Sequence, residues 1–518
     1  MELFKKFATV ASGTAASRLF GFLREMLMAV SLGTGPTADA FNAAFRFPNS
    51  FRRLFAEGAL SSAFIPLFTK DIEEKGLDQA RDFAAQVFGV LFTTLLLITI
   101  IAQISMPLLV RYIIAPGFEQ GSTKYYMTIR FALIMFPYLS CMSLTAIISG
   151  MLNSLHRYFA ASIAPIFLNF ILILVLIYSY YYHLDYWTTG LALSKGVMCA
   201  GLIQLALVYS AALKAGIKLK IKPPHFTPKI RKLLTLAFPA AISGGITQIN
   251  LLINTSIASG DSGAISTLAY ADRLYQLPLG IIGISVATVL LPELSSAQRS
   301  KIEQKSQELQ NRAIEFTLFL ALPAAMALLI MAQPIVRLLL EHGNFGVSST
   351  IKVAGVLTIY GLGLPAFILI KALVPNYFAR HDTKTPLSFA AISVAINIFL
   401  ALTLFPYFSA RGIAIAEIFT AWVNCALLFF GLKKRKYFIA DGLIAKRLYK
   451  FIIAAGIMGL FLLLAQYYFS FALSSQSTNF LRILTNLAII ILAMLIYLLV
   501  TIMLKAIDIN ILKNKLRR

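Results

Sequence analysis

The chain has 518 residues, of which 58% are hydrophobic and only 13% are charged. Because a soluble domain usually carries about 25% charged residues, this composition excludes an ordinary soluble protein and predicts a polytopic membrane protein. The formal net charge is +24, but the lysines and arginines lie mostly in short segments between apolar runs. That distribution indicates membrane orientation, with anionic membrane lipid rather than nucleic acid as the partner.

Fourteen apolar segments follow one another, each long enough for one membrane crossing of about 20 residues. In chain order they cover residues 7–31, 38–68, 83–112, 127–152, 158–182, 188–213, 233–257, 264–296, 313–340, 350–379, 386–406, 412–432, 448–470 and 481–504. The termini and the even-numbered turns hold 31 lysines and arginines, whereas the odd-numbered turns hold five. Because such residues stay on the cytoplasmic side, this asymmetry predicts that both termini are cytoplasmic.

The first twelve segments consist of two similar halves, offset by about 226–228 residues. Ile65-Pro66-Leu67 matches Leu291-Pro292-Glu293, and Phe136-Pro137 matches Leu364-Pro365. Six spans per half is an even number, so both halves have the same orientation, as in transporters built from parallel repeats. Interrupted helices that bend during alternating access are predicted at Pro48 and Pro66 in span 2, Pro239, Gly244 and Gly245 in span 7, Pro278 and Pro292 in span 8, and Pro365 in span 10.

We therefore predict an all-α fold with two six-helix lobes related by a parallel repeat and two further C-terminal helices. The N-lobe covers residues 1–222, the C-lobe covers 223–440, and spans 13 and 14 lie in 441–518.

The ten lysines and arginines that are not counted with the termini and turns lie inside the apolar segments, where an uncompensated charge costs at least about 2.5–3.5 kcal/mol. At about 1.5 Å per helical residue, Arg18 lies about 18 Å from the inner face, Arg52 about 20 Å from the outer face and Arg273 about 18 Å from the outer face. All three are thus near the middle of a hydrocarbon core about 30 Å thick. Since guanidinium groups suit phosphate and carboxylate, a shared cationic cavity for a pyrophosphate or carboxylate is predicted.

Acidic residues accompany these arginines. Glu25 lies seven residues after Arg18 and shares its helical face, so it is expected to gate or compensate Arg18. Arg53 and Glu57 are four residues apart and can pair. Internal ion pairs with Asp39, Glu57 and Asp272 remain an alternative interpretation of the arginines, although cations outnumber acids. The other cavity candidates are Ser17, Arg46, Arg53 and Lys371.

Catalysis has little support in the sequence. The five histidines are dispersed, no glycine-rich loop ends in Gly-Lys-Ser/Thr, and no paired carboxylates recur at ligand spacing. The three cysteines lie inside apolar runs without the spacing of a metal site. We therefore expect a transporter rather than an enzyme, without a metal or cofactor, and the coupling ion stays open.

Several motifs resemble the MurJ (MviN) family of lipid II flippases. They include the runs Ser17-Arg18-Leu19-Phe20-Gly21, Arg52-Arg53-Leu54-Phe55-Ala56-Glu57-Gly58-Ala59 and Tyr270-Ala271-Asp272-Arg273-Leu274. The resemblance covers essentially the whole chain and implies the fold of the MOP exporters, close to that of MATE transporters. It also implies transport of lipid II, the undecaprenyl-pyrophosphate-linked disaccharide pentapeptide, from the inner to the outer leaflet of the bacterial cytoplasmic membrane for peptidoglycan synthesis.

The same resemblance implies residue roles. Arg18, Arg24, Arg52 and Arg273 would bind the substrate, Asp39 and Glu57 would be acidic partners, and spans 13 and 14 would form a groove for the lipid tail. Glu25 stands where many relatives have aspartate and Arg46 where others have lysine, so both positions keep their charge. A monomer is expected.

Two other functions compete with this interpretation. A drug or cation antiporter of the same fold would favour acidic cavity residues, the reverse of the charges here. An enzyme acting on polyprenyl phosphates would need clustered carboxylates or a catalytic histidine, which the sequence does not supply.

Overall fold

The structure is a computed structural model, and it describes residues 2–52, 60–217, 223–224, 227–299, 303–439 and 441–506. Its regular elements within these ranges are helices. In chain order they are α1 (Glu2–Leu32), α2 (Pro36–Arg52), α3 (Leu60–Lys75), α4 (Leu77–Ile104), α5 (Met106–Leu109), a π-helical turn (Val110–Ile114), α6 (Thr123–Met135), α7 (Tyr138–Ser154), α8 (Phe159–Tyr181), α9 (Tyr186–Lys214), α10 (Pro228–Ala258), α11 (Ala264–Arg299), α12 (Glu303–Ile330), α13 (Ala332–Leu340), α14 (Val347–Phe378), α15 (Lys384–Phe408), α16 (Ala410–Lys434), α17 (Gly442–Tyr468) and α18 (Asn479–Met503).

The helices agree with the predicted membrane spans. Ten helical segments in the described part of the chain are long and apolar enough to cross a membrane. Helices also occupy each of the fourteen predicted segments. The all-helical fold is therefore confirmed, and the structure is consistent with fourteen spans.

The internal repeat is visible in the positions where helices end. α1 ends at Leu32 and α10 ends at Ala258, which is 226 residues later. The same offset separates the ends of α4 and α12, at Ile104 and Ile330. Span 3 and span 9 each contain a break, at Ser105 and Met331, again 226 residues apart. The two halves thus share a broken third span, which hydropathy alone does not predict.

The predicted interruptions at prolines are largely wrong. α2 continues through Pro48, α11 continues through Pro278 and Pro292, and α14 continues through Pro365. Span 4 breaks at Pro137, where no interruption was predicted, and this break separates α6 from α7. Prolines are tolerated inside membrane helices because neighbouring groups can satisfy the backbone carbonyls that they leave unbonded.

The chain divides into two compact units, Met1–Ser266 and Thr267–Arg518. In the first unit, aromatic side chains of α2 pack on span 4, with ring centroids 5.8 Å apart for Phe47 and Phe136 and 6.1 Å apart for Phe45 and Tyr138. The lobe limits predicted from the repeat, after residues 222 and 440, stay predictions.

The second unit has two main apolar clusters. One joins α14 and α16 and includes the buried Tyr377, whose hydroxyl donates to the Leu428 carbonyl at 2.8 Å. The other joins α12, α17 and α18 around Met458 and Tyr497, and the Tyr497 hydroxyl donates to the Phe319 carbonyl at 2.7 Å. The two C-terminal helices are therefore packed onto their own unit.

Candidate functional site

Small residues let α1 lie close to α8. A Cβ atom on Gly13 would be 3.0 Å from Ser162, and one on Gly21 would be 3.4 Å from the Asn169 side chain. Asn169 also donates from Nδ2 to the Ser17 carbonyl at 3.1 Å. Ser17 is half-buried, whereas the next residue, Arg18, is exposed. The packing against α8 thus leaves the Arg18 guanidinium accessible.

Arg24 and Glu25 form a buried ion pair on the same helix. Their exposed fractions are 5% and 7%, and Arg24 Nη2 donates to Glu25 Oε1. The structure therefore shows an ion pair between Glu25 and the adjacent Arg24. The sequence had predicted that Glu25 compensates Arg18, because these two residues share a helical face. The Nε of Arg24 is also buried and has no hydrogen-bond partner among the described residues. An unsatisfied buried donor is costly, so it favours a ligand that can accept a hydrogen bond there.

The arginines of α2 are held by polar neighbours. Arg52 is half-buried and donates from Nε to Asn49 Oδ1 at 3.0 Å, one turn earlier. Arg46 donates from Nη1 to Thr255 Oγ1 of α10 at 3.2 Å. Arg53 and Glu57 lie outside the described residues, so their predicted pairing stays a prediction.

Asp39 is the most extensively bonded acid among the predicted site residues in the described part of the chain. Its carboxylate is fully buried and accepts from Lys124 Nζ at 2.7 Å. It also accepts from the backbone N–H of Gly263 at 2.7 Å, and from the N–H and hydroxyl of Ser266 at 2.9 and 2.8 Å. Asp39 thus joins the start of α2 to α6 and to the turn between α10 and α11.

This contact joins equivalent positions of the repeat. Asp39 and Ser266 are 227 residues apart, within the repeat offset of about 226–228. Equivalent positions can touch only near the axis that relates the two halves. The repeat in the sequence marks Asp39 and Ser266 as equivalent positions, and the structure adds that these two residues touch.

The turn that carries these donors is tightly built. Gly263 has φ +83°, and a Cβ atom there would lie 2.9 Å from the Thr34 carbonyl oxygen. Glycine is suited to this position because it adopts positive φ without strain and has no side chain to collide with the neighbouring backbone.

The candidates of the second unit lie on α11 and α14. Asp272 and Arg273 are both half-buried, and Asp272 Oδ2 accepts from Gln276 Nε2 at 2.5 Å. Lys371 is exposed, and its Cγ would be 3.4 Å from a Cβ atom on Gly283. The predicted common depth of Arg18, Arg52 and Arg273 stays a prediction.

Glu417 is a polar group that the sequence analysis missed. It lies within α16 and accepts from the Tyr360 hydroxyl of α14 at 2.7 Å. The Tyr360 ring packs against Tyr275 of α11, with centroids 4.9 Å apart. The signal was available, since an acidic residue inside an apolar span indicates a functional or paired group.

Comparison with known proteins identifies the family. The family model described as "Lipid II flippase MurJ" matches residues 28–485. This chain belongs to the MurJ family. A relative from Rhizobium meliloti, described as a probable lipid II flippase MurJ, is 59% identical over 497 residues, covering 96% of this chain and 93% of that protein. The resemblance inferred from the sequence motifs is therefore confirmed.

Solved structures agree with the fold of this MurJ-family chain. A lipid II flippase MurJ in an inward closed conformation matches with a TM-score of 0.79 and 25% identity, covering 98% of this chain and 99% of that one. An inward-facing MATE transporter of the MOP superfamily matches with a TM-score of 0.70 and 15% identity, over 81% of this chain and 94% of that one. The predicted MOP-type fold is thus confirmed.

Proposed function

We propose that this protein carries lipid II from the inner to the outer leaflet of the bacterial cytoplasmic membrane by alternating access. Membership of the MurJ family over residues 28–485 is the observation that carries this proposal. Both termini are proposed to be cytoplasmic and the protein to act as a monomer. It leaves its substrate chemically unchanged, so it is a transporter and not an enzyme.

The proposed binding groups for the pyrophosphate are Arg18, Arg24, Arg52 and Arg273. Arginine remains charged and presents a planar set of donors that matches phosphate oxygens. The buried, unbonded Nε of Arg24 supports this role, because an anionic oxygen would satisfy it. The bond from Arg52 Nε to Asn49 Oδ1 fixes the orientation of the Arg52 guanidinium, which is half-buried.

The acidic residues are proposed to control access. Asp39 holds the outer end of α2 against the turn before α11, so its hydrogen bonds must open before the substrate can leave outward. Glu25 occupies one nitrogen of Arg24 and is displaced or shared when the anion binds. Glu57 and Asp272 are proposed as further acidic partners, with Ser17, Arg46, Arg53 and Lys371 as additional cavity residues.

The C-terminal helices are proposed to hold the prenyl tail. α18 buries one face on its unit and exposes large apolar side chains on the other, including Leu484, Leu487 and Ile491. α17 exposes Leu460 and Leu463. Such surfaces suit a hydrocarbon chain or membrane lipid, including anionic lipid near their charged ends.

Purified protein in vesicles that contain lipid II tests the function. The measurement is the rate at which lipid II from the inner leaflet becomes accessible to an impermeant reagent outside. Wild-type protein should raise this rate above that of empty vesicles, and mass analysis should recover unchanged lipid II. Transport at the rate of empty vesicles, or a chemically altered product, would contradict the proposal.

The same assay tests the binding role of Arg52. Arg52→Ala removes charge-assisted hydrogen bonds worth about 1.5–3 kcal/mol, so transport should fall about 10- to 100-fold. Arg111→Ala is the matched control, because Arg111 is an exposed arginine of the π-helical turn and should transport at the wild-type rate. Equal rates for Arg52→Ala and wild type would show that Arg52 does not bind the substrate.

A further inference from the structure

An ion pair joins α3 to α10 at the ends of these helices that are proposed to be cytoplasmic. Lys229 Nζ donates to both carboxylate oxygens of Asp71, at 2.6 and 2.5 Å. Asp71 is on α3, the second part of span 2, and Lys229 is in the first turn of α10, which is span 7. The pair therefore connects a helix of the predicted first repeat to a helix of the predicted second repeat, and both helices belong to the compact unit Met1–Ser266.

Neighbouring contacts hold Lys229 in place. Its ammonium group lies over the ring of Phe83 on α4, 5.3 Å from the ring centroid. Thr227, which caps α10 by accepting from the N–H of Ile230, also donates to Gln86 Oε1 of α4 at 3.3 Å. The first turn of α10 is thus attached to α3 and α4 by two separate polar contacts.

The α3–α4 hairpin on the other side of the pair is a packed body. Phe64 stacks on Phe68 and on Phe83, with ring centroids 5.4 and 5.7 Å apart, and these three side chains are buried. The hairpin therefore keeps its own core if α10 moves away. Motion at this place would break the polar contacts of Asp71 and Thr227 before it disrupts the aromatic packing.

The exposure of the pair suits reversible opening. The Asp71 side chain is 7% exposed, whereas the Lys229 side chain is 44% exposed. Separating a fully buried ion pair is costly, because each charge is left without a partner or solvent. An exposed ion pair contributes little free energy, so it holds two helices together only weakly. Here water can reach the lysine as the two groups part, so the contact holds the helices without making their separation prohibitive.

We propose that the Asp71–Lys229 ion pair is an inner latch, which holds α3 against α10 and must open before the lipid head group can enter from the cytoplasm. In parallel-repeat transporters, access alternates as one repeat rocks against the other, so a bond between repeats at one mouth breaks when that mouth opens. This inference rests on the proposed function, and the experiments below separate the two.

A reversible cross-link tests the latch in the vesicle assay. The native cysteines Cys141, Cys199 and Cys425 are first replaced by serine. Asp71→Cys with Lys229→Cys is then joined by a short thiol-specific linker that reducing agent cleaves. Lys70→Cys with Glu74→Cys is the matched control, because this exposed pair lies on the same helix and spans a single turn.

Linking residues 71 and 229 should reduce transport to the rate of empty vesicles, and cleavage should restore it. The linked control should transport like its unlinked form. Transport by the linked 71–229 protein at the control rate would overturn the latch and leave the function intact. Absence of transport by the cysteine-free parent, with the wild type also inactive, would overturn the proposed function instead.

Charge reversal gives a readout that does not depend on lipid II. Lys229→Asp places a second carboxylate beside Asp71, and the two repel each other. The first turn of α10 should then move away from α3 and α4 and expose residue 86, which contacts Thr227. The labelling rate of Gln86→Cys by a thiol reagent should then rise about fivefold, as expected for loss of a partly buried ion pair. Adding Asp71→Lys should restore slow labelling. Unchanged labelling in Lys229→Asp would overturn the latch.

Discussion

Asp39 shows how one buried carboxylate can hold several elements together. Its four hydrogen bonds come from a lysine, a hydroxyl and two backbone N–H groups, which satisfy both oxygens. The ammonium group of Lys124 also lies over the Phe118 ring, 4.2 Å from its centroid. The negative charge of Asp39 is thus balanced by Lys124, and each carboxylate oxygen accepts two hydrogen bonds.

Replacing this carboxylate should be strongly destabilising. Asp39→Asn leaves Lys124 without its anion in a buried site, at a cost of about 3–5 kcal/mol. A lower thermal midpoint of the purified protein would measure this loss. Asp78→Asn is the matched control, since Asp78 pairs with Arg81 but is 92% exposed, and such pairs contribute below about 1 kcal/mol. Equal midpoints for the two variants would contradict the structural role of Asp39.

The sequence predicted which helices carry the charged residues, but it did not predict the partners of those residues. The predicted depth of Arg18 and Arg52 stays a prediction, and nothing in the spacing indicated that Glu25 pairs with the adjacent Arg24. Neighbours on a helix point about 100° apart, so such a pair depends on how surrounding helices confine both side chains. Glu417 was not predicted because it is a single acid in span 12, whereas the charged residues inside the spans are mostly cations.

At the scale of elements, the turn between α10 and α11 positions the hydrogen-bond donors of Gly263 and Ser266 against the Asp39 carboxylate. Gly263 approaches the Thr34 carbonyl at the end of α1 and offers its own N–H to the carboxylate. A second close approach lies nearby, because a Cβ atom on Gly117 would be 2.5 Å from the backbone of Gly260. Backbone contacts of this kind leave no room for side chains.

Gly263→Ala should therefore lower the free energy of unfolding through two effects, the backbone strain at positive φ and the collision of the new Cβ atom with the Thr34 carbonyl oxygen. Alanine at positive φ costs about 1–3 kcal/mol, and the contact with Thr34 adds to it. Gly121→Ala isolates the strain, because Gly121 has φ +85° with nothing within 4 Å of an added Cβ atom. The thermal midpoint should fall further for Gly263→Ala, and an equal fall would show that the close approach has no cost.

Element boundaries were partly predictable. Hydropathy located helices in all fourteen segments, but it did not reveal the breaks at Ser105 and Met331. Apolar residues continue across both breaks, so the hydropathy signal is uninterrupted there. Conversely, Pro278 and Pro292 suggested breaks that α11 does not have, because packing around a proline decides whether a helix continues.

At the scale of the whole molecule, the repeat and the charge distribution were the strongest signals in the sequence. The repeat offset reappears in the helix ends of α1 and α10 and of α4 and α12. These signals accumulate over hundreds of residues, so an error at one position barely changes them. Contacts of single side chains have no such averaging, which is why the site was predicted less completely than the fold.

The proposed orientation can be tested with single cysteines in the cysteine-free protein. Gln476 lies between α17 and α18 and Glu73 lies near the end of α3, and both are exposed. An impermeant thiol reagent added to intact cells should label Gln476→Cys and not Glu73→Cys, because the charge asymmetry puts the latter inside. Both should be labelled after permeabilisation. The reverse pattern would invert the proposed orientation.

The contact between Asp39 and Ser266 has a consequence for how such a fold can arise. In a symmetric dimer of identical six-span subunits, a residue at the axis faces its own copy. Two aspartates there would bring two buried carboxylates together, and like charges in close contact oppose ionisation. In a single chain the two positions can differ, so one half keeps the carboxylate and the other supplies a hydroxyl and an N–H. Joining the halves in one chain thus permits the hydrogen bonds between Asp39 and Ser266, which a homodimer of either half could not form because both copies would carry the same residue at this position.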